Sequence, residues 1–184
     1  MLARCSTVIF VAFLTIGCSA PPDKEHQQAL QAVAAARTPD AVAYAADELA
    51  AAENALAAYD QAVAVRDYRQ ALSRALDARE KAAAVPRIAS ERKAQVRMQA
   101  ESLLAECNAV LSSLRARQSA TGPGRPTPAQ LTRLRQALRT KPAQISAAEA
   151  LITQQEYRKA IAALTPVLQS LRQDEAAAAP RSGR

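Results

Sequence analysis

An all-α fold follows from three observations. Alanine, the best helix former, fills about a quarter of the 184 residues. Larger apolar residues recur at alternating spacings of three and four, the period of a helix, and no run of Val, Ile and Thr alternates as a strand does. Aromatic residues make up only 3% and Trp is missing, so little bulk is present to fill a thick core and closely approaching helices are what this composition stabilises. The expected architecture is a set of Ala-rich helical hairpins or a bundle with long antiparallel helices, tetratricopeptide-like pairs being one arrangement.

The chain opens on a segment of a different kind. Arg4 is followed by the apolar run Val8 to Ile16 and at once by Gly17-Cys18. The run is shorter than the roughly 20 residues a bilayer span requires, and it has the three-part build of an export signal. Leu14-Thr15-Ile16-Gly17-Cys18 resembles the lipobox of bacterial lipoproteins, with Leu14 one place earlier than usual. The resemblance implies removal of residues 1–17 and acylation of Cys18. Two other outcomes compete with it: ordinary cleavage after Ala20, disfavoured by Pro21, and an uncleaved anchor. Ser19 stands where those lipoproteins carry Asp when they stay at the inner membrane. The periplasmic face of a Gram-negative outer membrane is therefore the expected location, with the membrane as partner through the lipid.

Residues 18–28 read as the lipidated Cys and its tether, stiffened by Pro21-Pro22. A first helical hairpin is expected over 29–118. Gln27 to Ala36 can form a short helix. Thr38 is a capping residue with Pro39 at the first helical position, and Val42, Ala45, Leu49, Ala52, Leu56, Tyr59 and Val63 then form a continuous seam, so one helix is expected from Pro39 to Val65. Arg66-Asp67 reads as a tight turn. The next helix starts near Tyr68, is expected to kink or break at Pro86, and resumes through Val96, Ala100, Leu103, Cys107, Val110, Leu111 and Leu114. Asp77 to Gln95 has few large apolar side chains, so part of it is expected to project into solvent.

Residues 119–127, with Gly122-Pro123-Gly124, are the clearest loop. Thr127-Pro128-Ala129-Gln130 fits a capping box and opens a second hairpin over 128–173. Leu131, Leu134 and Leu138 give its first face, Lys141-Pro142 is expected to break it, and Ile145, Ala148 and Ile152 continue the seam. A last helix is expected over Tyr157 to Arg172, disturbed at Pro166, before a disordered tail over 174–184.

The two hairpins echo each other. Arg66-Asp67-Tyr68-Arg69-Gln70-Ala71-Leu72 matches Gln155-Glu156-Tyr157-Arg158-Lys159-Ala160-Ile161 at an offset of 89 residues, and Leu49, Leu56 and Val63 fall on Leu138, Ile145 and Ile152 at the same offset. Tyr-x-x-Ala resembles the second helix of tetratricopeptide repeats, but the long offset argues against a tandem array. Tyr44-Ala45-Ala46-Asp47-Glu48-Leu49 followed by Arg66-Asp67-Tyr68-Arg69-Gln70-Ala71-Leu72 resembles the Ala-rich hairpin of lipoproteins grouped as domain-of-unknown-function family 4398. Their pattern reads Tyr-Ala-Pro-x-x-Leu, then Gly-Asp-Tyr-x-x-Ala; Ala46 replaces the Pro and Arg66 the Gly. The resemblance implies a periplasmic, lipid-anchored helical module without an assigned activity.

The formal net charge of +7 is segregated. Asp40, Asp47, Glu48, Glu53 and Asp60 lie in a stretch free of Lys and Arg, whereas Arg115, Arg117, Arg125, Arg133, Arg135, Arg139 and Lys141 lie in one free of Asp and Glu. Either the acidic and basic helices pair, each exposed pair contributing about 0–1 kcal/mol, or the basic segment meets an anionic partner. Arg115, Arg117, Arg133, Arg135 and Arg139 are the candidate binding residues for peptidoglycan or lipid head groups. Nucleic acid is not an expected partner in an exported chain with so few stacking residues.

No catalytic residue, cofactor or metal site is expected. Cys107 alone would remain as a free thiol, the only His is His26, and phosphate-loop and metal-ligand spacings are missing. Asp47 and Glu48 are adjacent, so they point to different sides of a helix and suit solvation rather than acid/base work. A non-catalytic structural or interaction module is the expectation, its partner an envelope protein or a second copy.

Overall fold

The computed structural model describes residues 20–122 and 125–179; the signal segment 1–17 and Cys18 lie outside them. The described residues form six helices and no strand: α1 (Asp23–Ala36), α2 (Pro39–Tyr44), α3 (Ala46–Ala64), α4 (Tyr68–Gln118), α5 (Pro128–Thr153) and α6 (Tyr157–Ala177). The protein is all-α. It divides into two compact units, Met1–Arg87 and Ile88–Arg184, with α4 contributing to both.

In the first unit, α1 lies antiparallel to α3. His26 stacks on Tyr59 with ring centroids 4.0 Å apart, and eleven residues on, Arg37 Nη2 donates to Glu53 Oε1 at 2.5 Å. The first part of α4 closes the unit. Its core is made of small residues, Ala29, Ala55, Ala62, Ala71, Ala75 and Ala78, around the one large ring of Tyr59. The second unit packs the end of α4 against α5 and α6 with bulkier side chains, Leu111, Leu114, Leu134, Ile145, Leu164 and Leu171 among them.

Helix starts follow the capping chemistry. Thr38 Oγ1 accepts from the Ala41 amide at 3.1 Å. Thr127 makes the full capping box, accepting from the Gln130 amide while Gln130 Oε1 accepts from the Thr127 amide. These Thr-Pro starts are themselves 89 residues apart, a further match between the two hairpins.

The hairpin turns match in detail as well. Arg66 (φ 58°) and Gln155 (φ 62°) occupy the left-handed region at the same repeat position. At the first turn the Arg66 amide bonds the Val63 carbonyl and the Asp67 amide the Ala62 carbonyl; at the second, Gln155 bonds Ile152 and Glu156 bonds Leu151. Both are Schellman ends, which satisfy helix carbonyls by turning one residue left-handed. Glycine relieves the steric cost there, so Arg66→Gly and Gln155→Gly should each raise stability by about 0.5–1 kcal/mol in denaturant titrations. A loss of stability would mean that the replaced side chain contributes more than its backbone costs.

Several expected boundaries differ. α4 runs through Pro86, α5 through Pro142 and α6 through Pro166 without ending. Each Pro removes one backbone bond at a cost of about 3 kcal/mol, and buried residues on either side hold each helix together: Val85 and Ala89, Ala137 and Ile145, Leu164 and Val167. Conversely, the seam from Val42 to Val63 is split at Ala45 (φ −138°, ψ 39°), and Val42 is 58% exposed. Ala45 itself is fully buried, so the seam's period survives a break in the backbone.

Asp77 to Gln95 is helical, and its Ala78, Ala82, Val85 and Ala89 are buried rather than projecting, because alanine faces need little side-chain bulk to pack closely. The tether is shorter than 18–28: α1 starts at Asp23, with Asp23 and Glu25 favourably placed at its positive end. The tail expected from 174 is helical to Ala177, with Ala178 buried. Its carbonyls find partners, as Gln130 Nε2 donates to Ala177 and Arg117 Nη1 to Ala178.

Candidate functional site

The basic residues begin on α4 and continue along α5 in the second unit. Arg115 is exposed near the end of α4. Arg117 is half-buried and spends a guanidinium nitrogen on the Ala178 carbonyl at 3.0 Å. That places a cation at the C-terminal end of α6, where it favours the helix dipole; Arg117 thus has a structural task.

On α5 the three arginines diverge. Arg135 and Arg139 are four residues apart and share an exposed stripe. Arg133 is two residues from Arg135, about 200° around the helix. It lines an open cleft of about 270 Å³ with Gln136, Thr140 and Lys141, facing Ser170 and Asp174 of α6. A neighbouring cleft of about 420 Å³ is mostly apolar, with Lys141 and Gln144 across from Ala163, Pro166 and Val167. The five expected residues are therefore not one patch. Among the described residues, Arg115, Arg133, Arg135 and Arg139 have no hydrogen-bonded or ion-paired side-chain partner.

The acidic stretch finds partners close to home. Glu53 takes Arg37, the residue that caps the end of α1, and Asp60 Oδ1 lies 4.0 Å from His26 Nε2 on α1. His26, expected in a loose tether, is instead a packed ring on Tyr59. Tyr59 is 3% exposed, and burial, then the nearby carboxylates of Asp23, Asp60 and Glu25, push its hydroxyl pKa up.

In the second unit Arg172 pairs with Glu106, and Ser113 donates to Glu175. These polar bonds flank Cys107, which is fully buried with its Sγ 3.9 Å from the Leu164 carbonyl. Burial pushes the thiol upward, Glu106 adds to this and Arg172 opposes it. A side chain so buried packs as a small apolar residue.

Cys18, the expected lipidation site, lies outside the described residues. Among those residues no group of three or more His, Cys, Asp or Glu side chains could hold a metal ion, and no helix is long and apolar enough to cross a membrane. Fold and site together define an all-α protein of two helical units with a basic α4–α5 region. No protein-family model matches the chain, and neither the curated proteins nor the solved structures show a significant match to it.

Proposed function

We propose that this chain is a lipid-anchored helical protein of the periplasmic face of the outer membrane, serving as a non-catalytic structural or protein-interaction module of the cell envelope. The observation that carries this reading is Leu14 to Cys18, the lipobox-like end of the export signal, joined to α1 by only Ser19 to Pro22. The backbone supports the hairpin resemblance too. Ala46, where the family 4398 pattern has Pro, opens α3 after a non-helical Ala45, and Arg66, where it has Gly, is left-handed. Pro suits a first helical position and Gly a positive φ.

Crosslinking in intact cells from exposed positions of α4 and α5, read by mass spectrometry, tests the interaction role. One recurrent envelope protein, or the chain itself, is the expected capture; no capture at any position sinks the reading.

The unpartnered arginines favour a second reading, a module for an anionic envelope polymer such as peptidoglycan. Arg135→Glu combined with Arg139→Glu should abolish sedimentation with peptidoglycan sacculi. Stability should stay within about 0.5 kcal/mol, as is usual at exposed sites. Unchanged sedimentation, or lost folding, removes that reading.

A further inference from the structure

We infer that the α3–α4 turn of the first unit is a second membrane contact, seated in the lipid interface beside the acylated Cys18; this rests on the lipid-anchor reading above. Two independent observations lead there. The first is an uncovered apolar flank. Val65 is 73% exposed, Leu72 37% and Leu76 39%, and Tyr68 is only half-buried. The repeat shows that this is not inherent to the hairpin. At the equivalent place in the second unit Tyr157 is 6% exposed, and Tyr157, Ala160 and Ile161 pack with Val96 and Ala100 of α4. In the first unit the corresponding side chains Tyr68 and Leu72 remain accessible.

The second observation is where the chain leads. α1 is antiparallel to α3, and His26 meets Tyr59, so the start of α1 and the end of α3 lie at one end of the unit. Val65 is six residues past Tyr59, about 9 Å along the axis at 1.5 Å per residue. Asp23 is three residues before His26, about 4.5 Å in the same direction. Cys18 is five residues before Asp23 and reaches at most about 17 Å farther. An acyl chain on Cys18 therefore holds the Val65 end within a short extended peptide of the lipid, and no greater distance is open to it.

The chemistry at this end suits shallow insertion. Tyr68 offers a ring with a polar tip, the kind of side chain that settles at the boundary of lipid and water. Val65 and Leu72 offer apolar surface, and Arg66 and Arg69 have stems that can lie along the interface with their charges in the head groups. The charges do not make the surface cationic. Lys24, Arg66 and Arg69 are balanced by Asp23, Glu25, Asp60 and Asp67, the last of which accepts from the Gln70 amide as the cap of α4. Contact should therefore be apolar, and insensitive to salt.

The test uses the full-length acylated protein in vesicles of phosphatidylethanolamine and phosphatidylglycerol. Cys107→Ala removes the native thiol, and single Val65→Cys, Leu72→Cys and Val42→Cys variants carry a polarity-sensitive fluorophore. Val42 is the control, exposed but on α2, which precedes the start of α3. Mass spectrometry first establishes that the N-terminal peptide carries acyl chains. The expected result is a blue shift and quenching by nitroxide lipids at 65 and 72, unchanged by salt, with neither effect at 42. Acylated protein in which 65 and 72 behave like 42 overturns the membrane contact while leaving the anchor intact. Protection of 65 and 72 in whole envelopes but not in vesicles assigns the flank to a protein and also overturns it. An unacylated N-terminus overturns the anchor reading, and the contact with it.

Discussion

Cys18→Ala should abolish fatty-acid labelling of this protein and release its helical units from the membrane fraction. In the lipoproteins that Leu14 to Cys18 resembles, the Cys thiol receives a lipid and the new amino terminus a further chain. One acyl chain gives only reversible membrane binding, and two or three hold stably at about 0.8 kcal/mol per buried CH₂. The described residues offer no equivalent hold. Among the described residues no helix can cross a bilayer, and the exposed Val65 and Leu72 are too few side chains to substitute for acyl chains. Metabolic labelling with an alkyne fatty acid and mass spectrometry of the first mature peptide make the measurement. The wild-type peptide should begin at Cys18 and carry the label, and the variant should carry none. A wild-type peptide beginning at Pro21 without lipid would show ordinary cleavage after Ala20 and end the anchor proposal.

Helical class and the hairpin turns were legible because both are written in local chemistry. Thr38 and Thr127 are capping residues followed by Pro, and each accepts the amide bond that its position predicts. Tyr68 and Tyr157 each stand two residues after the left-handed residue of a Schellman turn, so the sequence echo reflects a shared backbone. The break expected at Pro142 is missing for an equally physical reason. Local chemistry counts the lost hydrogen bond at Pro86, Pro142 and Pro166, but not the buried neighbours that offset it. The break at Ala45 was hidden in the opposite way, since apolar spacing reports which residues face inward and is silent about a backbone bend between two buried positions.

The candidate basic site was only half legible. Runs free of Asp and Glu identified the region, but the fate of each arginine depends on angle and on distant chain. Arg117 reaches the end of α6, 61 residues away, where it donates to the Ala178 carbonyl. Arg133 turns toward the α6 side, while Arg135 and Arg139 stay on an exposed stripe. Similarly, His26 looked like a tether residue until its ring was placed on Tyr59 by the pairing of α1 with α3.

The difference between the two cores makes a paired prediction. At the 89-residue offset Leu164 corresponds to Ala75; the first is 0% exposed and the second 1%. One hairpin fills this place with an isobutyl group and the other with a methyl. Leu164→Ala leaves a cavity among Leu114, Leu134, Leu168 and Leu171, and should cost about 2–5 kcal/mol. Ala75→Leu forces bulk between helices that meet through Ala29, Ala71 and Ala78, and should cost about 1–3 kcal/mol. Each substitution installs the residue its counterpart already uses, so side-chain type alone predicts no penalty for either. Close packing predicts one for both. Urea unfolding gives the magnitudes, and hydrogen exchange locates them: α5 and α6 should lose protection in the first variant, α1 and α3 in the second. Met98→Ala, at a 61% exposed position, should change neither. If Ala75→Leu proves stabilising, the alanine core has unfilled space, and its small residues do not set the helix spacing of the first unit.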